Sequence, residues 1–246
     1  MKVEELALQR KRYAHLSDEQ WRWMLQQVEG RQRTHDKLPT FAQIEDWWYP
    51  IRLSCEQCSS EATARYKAAI IRQLGEKPDI LIDLTGGYGV DTYFLSEQTT
   101  QAHYVERNEE LCRIAQHNFQ IANKPIHVHN TSAEDFLAQY SMAGSVSSDV
   151  KKEVVVYLDP ARRDAHGGKV FRIEDCEPDV IKILPSLRAI SNTILIKFSP
   201  MLDITSALQS LGNEWDVHVV ALHNEVKEII FATGNNRIHA VNILHE

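Results

Sequence analysis

The chain has 246 residues, 43% hydrophobic and 25% charged, enough for one α/β domain with a small appendage. No apolar run is long enough to span a bilayer and the first twelve residues are too charged for a secretion signal, so a cytoplasmic protein is expected. A net charge of −7 argues against a broad electrostatic grip on nucleic acid, leaving only short basic clusters at Arg10-Lys11-Arg12, Arg31-Gln32-Arg33 and Arg162-Arg163.

Residues 3–28 are rich in Leu, Gln, Glu, Arg and Trp and lack proline and glycine, which predicts helices. Ser17 with Gln20 three positions later reads as a capping box, and Gly30 as the end of that helix. Pro39-Thr40 opens a further helical stretch, expected to run through Trp47-Trp48-Tyr49 to Pro50. Residues 1–54 are therefore read as a helical N-terminal subdomain and residues 55–246 as the main domain. Trp21, Trp23, Phe41, Trp47 and Trp48 are core or docking surface; the sharper alternative is an RNA-contacting module that stacks bases on an exposed ring. Cys55 and Cys58 form a C-x-x-C without a second pair or a His cluster. Two half-buried thiols at a helix entrance are expected, and no metal. Ser59 or Ser60 then caps a helix that turns Ala62, Ala69 and Ile70 toward a sheet.

The organising stretch is residues 79–91, Asp-Ile-Leu-Ile-Asp-Leu-Thr-Gly-Gly-Tyr-Gly-Val-Asp. A short apolar run ending on a carboxylate and a glycine turn is how a buried parallel strand delivers the chain into a nucleotide pocket. Gly87 and Gly89 read as the turn, where the missing Cβ permits positive φ and close approach to a ligand. A helix is expected over residues 90–98. The next strand ends on Glu106, about where a carboxylate grips ribose hydroxyls. In the diphosphate-binding pattern G-x-G-x-x-G the third glycine would fall on Thr92, and Asp83 would repel a diphosphate. The cationic sulfonium and amino groups of S-adenosylmethionine would be favoured there, so a nicotinamide-dependent oxidoreductase is the weaker reading.

At these residues the chain resembles the class I S-adenosylmethionine-dependent methyltransferases. The resemblance implies an α/β, Rossmann-like fold: a seven-stranded, mostly parallel sheet with an antiparallel last strand and helices on both faces. It also implies that Asp83 and the backbone at Gly87 and Gly89 hold the methionine part of S-adenosylmethionine and that Glu106 holds the ribose. Thr85, Gly86, Asp91 and Arg107 belong to the same cofactor-binding set. Gln57, Ser60 and Lys67, on the helix entering the first strand, line the pocket by the same likeness, against a plain N-cap and a surface lysine. In the segment 131–137, Ser132 and Ala133 take the adenine position. Ser132 stands where the family usually has Asp, with Asp135 nearby. Residues 141–148 are small and polar and read as a loop.

The fourth strand, residues 153–158, runs into Asp159-Pro160-Ala161-Arg162-Arg163-Asp164. A carboxylate and proline at the end of the central strand lie beside the first-strand turn, where a donor methyl would sit. In amino-methylating relatives an Asp or Asn, Pro, Pro, aromatic motif accepts hydrogen bonds from the target amine. Here Asp159 and Pro160 are kept and Arg162 replaces the aromatic, a guanidinium that can stack or pair with phosphate. Residues 159–163 also resemble RNA uracil-C5 methyltransferases, but the segment 194–200, Ile-Leu-Ile-Lys-Phe-Ser-Pro, has no cysteine nucleophile, which disfavours C5 chemistry. The strings Gln-Cys-Ser-Ser-Glu, Asp-Pro-Ala-Arg-Arg, Lys-Phe-Ser-Pro-Met-Leu-Asp and His-Asn-Glu-Val-Lys-Glu together look like bacterial class I methyltransferases with a C-terminal THUMP-like domain. That likeness spans residues 55–233, and the chain is expected not to include the extra domain.

Residues 215–223 and 227–233 are alternating β-branched runs suited to the antiparallel pair that closes such a sheet, and residues 237–244 offer an edge strand. Lys197 reads as a strand-end surface charge, although it and Asp203 are candidates to face the site. The expected function is methyl transfer from S-adenosylmethionine, with RNA as acceptor at an amine or ring nitrogen and Asp159, Pro160 and Arg162 at the reacting end. The alternative is a non-catalytic RNA-binding or assembly protein on a methyltransferase scaffold, which the altered positions Ser132 and Arg162 support.

Overall fold

The computed structural model describes residues 2–73, 77–144, 152–162, 173–212 and 214–244. Among them eight strands form one sheet: β1 (Ile80–Asp83), β2 (Gln101–Glu106), β3 (Ile126–Asn130), β4 (Val154–Leu158), β5 (Thr193–Phe198), β6 (Trp215–Leu222), β7 (Glu225–Thr233) and β8 (Ile238–Ile243). Their order is β8-β6-β7-β5-β4-β1-β2-β3. All neighbours run parallel except β7, which is antiparallel to both β5 and β6. The first seven strands match the expected arrangement, and β8 adds a parallel edge to β6.

The apolar strands alternate between two cores, as a pleated sheet buried on both faces requires. Leu81, Tyr104, Val155, Tyr157 and Leu195 face one side, and Ile80, Ile82, Val105, Val156 and Ile196 the other. Helices α1 (Val3–Ala7), α2 (Asp18–Thr34), α3 (Pro39–Gln43), α4 (Arg52–Gln57), α5 (Glu61–Arg72), α6 (Val90–Leu95) and α7 (Glu109–Ile121) precede β3. Buried residues of α3, α5, α6 and α7 fill the first core. Helices α8 (Ala133–Gly144), α9 (Val180–Ile190) and α10 (Ile204–Leu211) supply the second. No helix among the described residues is long and apolar enough to cross a membrane.

Ser17 caps α2 and Gln20 reaches back to its backbone, as expected. Gly30 does not end that helix, which continues to Thr34. A Cβ at Gly30 would lie 2.2 Å from the Tyr49 Cβ, so the glycine serves close packing. The expected helix through Trp47-Trp48-Tyr49 stops at Gln43, because both tryptophans have tertiary partners. The Trp47 indole N–H donates to Tyr88 Oη at 2.9 Å, and Trp48 stacks on His117 at 3.7 Å. The loop expected at residues 141–148 begins later than predicted, since α8 runs to Gly144; residues 145–148 lie outside the described residues.

The strand order reverses between β1 and β4. This is the switch point at which an open α/β sheet leaves a crevice beyond its C-terminal strand ends. Asp83 is level with Tyr104 on β2 and Tyr157 on β4, so the ends of these strands present their side chains together.

Candidate active site

The turn after β1 is set by three adjacent demands on the backbone. Gly87 and Gly89 have φ of 53° and 86°, the left-handed region that penalises any Cβ. A Cβ on Gly86 would lie 2.2 Å from the Tyr104 ring, whose hydroxyl donates to the Gly87 carbonyl at 2.6 Å. Tyr104 thus fixes the turn from beneath, a role that no short motif announces. Around a Cβ built on Gly87 the nearest heavy atom is 3.8 Å away, so that side of the turn is open.

Glu106, at the end of β2, closes one side. Its two carboxylate oxygens accept from the backbone N–H of Gly87 at 3.0 Å and of Asn108 at 2.8 Å. The carboxylate is half-buried and fixed in orientation, and each oxygen keeps acceptor capacity toward the crevice. Arg107, one residue on, is exposed and pairs with Glu177 at 2.5 Å. Ser132 caps α8: its hydroxyl accepts from the Asp135 N–H at 3.0 Å and donates to the Asp135 carboxylate at 2.7 Å. Ala133 beside it is buried.

Asp83 is 1% exposed. Among the described residues its partners are the Thr92 hydroxyl at 2.5 Å and the Thr85 N–H at 3.0 Å, with no cation. Burial therefore pushes its carboxyl up to about 7, helped by Asp91 and Asp159 and only partly offset by those two hydrogen bonds. Thr92, the position a third glycine would occupy, is thus the donor that holds Asp83.

Asp91, in the first turn of α6, is also buried but well supplied. One oxygen accepts from Ser59 at 2.7 Å and Tyr157 at 2.8 Å. The other, Oδ1, makes no directed hydrogen bond but lies 3.1 Å from Lys67 Nζ. Burial works against ionisation of Asp91, yet Lys67 and then Lys197 outweigh it and hold the carboxyl below its usual range. Lys67 is wholly buried, not a surface lysine. Its ammonium donates to both Glu228 oxygens at 2.7 and 2.9 Å and to Ser59 at 3.1 Å.

At the end of β4, the Asp159 N–H donates to Thr85 Oγ1 at 2.6 Å, tying this carboxylate to the glycine turn. Its Oδ2 accepts from Lys197, which reaches across from β5. Burial disfavours the Lys197 ammonium, but Asp159, Asp91 and Glu228 outweigh it and hold the lysine protonated above its usual range. Lys197 is therefore no surface charge. Asp203 instead caps α10 through the Ser206 N–H.

The structure thus brings together Asp83, Thr85, Gly86, Gly87, Gly89, Asp91, Glu106, Asp159 and the unexpected Thr92, Ser59, Tyr157 and Glu228. Pro160 follows Asp159 and is buried, and residues 161–162 pair with Cys176–Glu177 in a two-residue ribbon. The Arg162 side chain and all of Arg163 lie outside the described residues. Ser60 caps α5 through the Thr63 N–H at 3.2 Å, and Gln57 is exposed at the end of α4. Cys55 is buried, its thiol pushed up to about 12 by burial, then by Cys58.

The crevice fits a cationic ligand. Asp83, Asp91, Asp159 and Glu228 outnumber Lys67 and Lys197, and Asp83 is a buried carboxylate short of a positive partner. The strand order and the glycine turn between β1 and α6 belong to a fold that the chain shares with solved structures. A Porphyromonas gingivalis W83 protein provisionally assigned as a methyltransferase is 34% identical, with a TM-score of 0.78 over 94% of this chain and 56% of its own. The chain has the fold of a class I methyltransferase domain. The domain spans about half the length of the P. gingivalis protein.

Two more distant neighbours share the fold of the methyltransferase domain. The T. thermophilus 16S rRNA guanine-N2 methyltransferase, solved with S-adenosylmethionine and guanosine, is 12% identical, with a TM-score of 0.52 over 76% of this chain and 46% of its own. The Bacillus cereus O-methyltransferase, solved with S-adenosylhomocysteine, is 11% identical, with a TM-score of 0.50 over 82% of this chain and 99% of its own. One acts at nitrogen and the other at oxygen, so the fold leaves the acceptor open. No protein-family profile matches the chain, and no curated protein matches it.

Proposed function

We propose that the chain transfers a methyl group from S-adenosylmethionine to an amine or ring nitrogen of RNA. The observation that carries this reading is the pairing of an open glycine turn with a Glu106 carboxylate locked by the turn's own backbone. When bound, S-adenosylmethionine would supply a methyl on a positive sulfur, an electrophile that a nitrogen lone pair attacks as the carbon–sulfur bond breaks, with S-adenosylhomocysteine leaving and the nitrogen's extra proton passing to solvent.

In this reading Asp83 and the backbone of Thr85, Gly86, Gly87 and Gly89 receive the cationic methionine end. Glu106 accepts two hydroxyls of the ribose, and Ser132 and Ala133 border the adenine. Asp91 holds the first turn of α6 in place through Ser59 and Tyr157. Arg107, Gln57 and Ser60 lie at the rim. Asp159 and Pro160 face the acceptor, with Arg162 following, and the chemistry is mostly in-line positioning. An amine is favoured because Asp159 offers a hydrogen-bond acceptor, and Lys197, held protonated, cannot act as a base. RNA is supported by the likeness of the motif strings to RNA-modifying relatives. Residues 1–54 act as a helical subdomain ahead of the cofactor-binding domain 55–246.

The first test is unfolding with S-adenosylhomocysteine on the wild type and Glu106→Ala. At about a hundred times the dissociation constant the ligand should add roughly 2.7 kcal/mol to the wild type. The variant should lose most of that gain, measured against its own unliganded midpoint, which also falls because the Gly87 and Asn108 N–H groups lose their acceptor. An equal gain in both proteins would remove Glu106 from the cofactor site, and no gain in either would leave the glycine turn a purely structural device.

A further inference from the structure

The acceptor carboxylate is only half available. Asp159 is placed by two independent ties, its N–H on Thr85 Oγ1 and its Oδ2 on the Lys197 ammonium. The other oxygen, Oδ1, has no hydrogen bond among the described residues, and the carboxylate is one-third exposed at 34%. Lys197 is the more enclosed partner, at 12%. It comes from the middle of the sheet, on β5, and Asp91 and Glu228 also act on its charge. Lys67 and Tyr157 hold Asp91 from the other side, so the cluster around Lys197 is crossed by rigid elements rather than loops.

We propose that Lys197 is a positioning residue for the acceptor: it takes one oxygen of Asp159 and leaves Oδ1 as a single, oriented acceptor for one N–H of the target. Resting on the methyl-transfer reading above, this narrows the acceptor to a nitrogen that carries both an N–H and its own lone pair. A hydroxyl or a ring carbon would first have to lose a proton. Neither the protonated Lys197 nor a carboxylate already bonded to it is suited to take that proton at neutral pH. A bare carboxylate, free to rotate, would offer two equivalent oxygens and hold no particular lone-pair direction. The ammonium removes that freedom, which is the kind of orientation that in-line transfer depends on.

The test is steady-state transfer of labelled methyl from S-adenosylmethionine to a pool of unmodified ribosomal and transfer RNA transcripts. Lys197→Met is expected to lower kcat about a hundredfold, with KM for RNA changed less than about threefold. Affinity for S-adenosylhomocysteine should be retained. Lys197→Arg, which keeps the charge and a donor, should recover part of the rate. In an Asp159→Asn background, Lys197→Met should cost nothing more, because Lys197 acts through that carboxylate. The double variant also relieves the stranded acid, so it reports on the idea even if Lys197→Met alone folds poorly. An unchanged kcat in Lys197→Met, or losses that simply multiply in the double variant, would overturn the proposal. Wild-type protein that binds S-adenosylhomocysteine but methylates no RNA would overturn the RNA reading and this inference with it. Failure to bind the nucleoside at all would instead overturn the cofactor assignment.

Discussion

Asp83 and Asp91 stand on either side of one glycine turn, both buried, and their surroundings could hardly differ more. Asp83 meets a hydroxyl and an N–H, and burial lifts its carboxyl to about 7. Asp91 meets two hydroxyls at one oxygen and a lysine ammonium beside the other, and its carboxyl is held low. A buried carboxylate with a cation beside it is already satisfied and belongs to the framework. One with only neutral donors keeps a deficit that a cationic ligand can fill. In the proposed reading, the difference separates the carboxylate that builds the fold from the one that receives the cofactor.

The largest effect should come from the framework side. Lys67→Met would strand Asp91 and Glu228, both buried, and should cost about 5 kcal/mol, the upper end for breaking a buried pair. Urea unfolding measures it; a loss below about 1 kcal/mol, the worth of a surface pair, would mean that the two carboxylates are not held by this lysine.

The next effect belongs to Asp83 and is a matter of pH. Because its folded value of about 7 lies above the ordinary aspartate value, the folded protein keeps a proton that the unfolded chain releases. That contribution to stability is complete below about pH 4 and is lost as pH rises through about 7. The stability difference between the wild type and Asp83→Asn should therefore shift by roughly 4 kcal/mol between pH 4 and 8, at up to about 1.4 kcal/mol per unit. Saturating S-adenosylhomocysteine, with its amino group, should shrink the shift. A difference that is flat with pH would mean that Asp83 is ionised throughout and has a positive partner after all.

How much of this could be read from the sequence follows the same division. The glycine turn, Asp83, Glu106 and Asp159 each sit at the end of an apolar strand run, and local strings mark them. The mostly parallel sheet with its antiparallel β7 is what the resemblance to class I methyltransferases implies, not something the runs alone dictate. The partners are another matter. Lys67 and Glu228, or Ser59 and Asp91, come from distant elements and meet only once α5, α6 and β7 pack together. Lys197 looked like a strand-end charge because nothing local distinguishes a lysine facing solvent from one facing Asp159. Gly30 and Trp47 depart from their local helix signals for a related reason: Tyr49 and Tyr88 override those signals from elsewhere in the fold. Thr92 stands where the diphosphate pattern has a glycine, and only the fold shows that its hydroxyl donates to Asp83.

The smallest effects make the sharpest comparison, because they remove one hydroxyl from each carboxylate and leave the rest in place. Tyr157→Phe deletes one of the donors to Asp91, but Ser59 and Lys67 remain, so a stability loss of about 1 kcal/mol is expected. That loss should be independent of pH, and affinity for S-adenosylhomocysteine should not change. Thr92→Val deletes the only side-chain donor to Asp83 among the described residues. Its cost should be about 1–2 kcal/mol where Asp83 is ionised and smaller where it is protonated, since the neutral acid needs the donor less. The pH at which stability falls should move upward, and nucleoside affinity should weaken as the carboxylate becomes harder to ionise. Parallel unfolding series on the two variants from pH 5 to 8 read all of this. If both lose the same amount at every pH, Asp83 and Asp91 are framework groups of one kind, and the cation-receiving role of the turn has no support left.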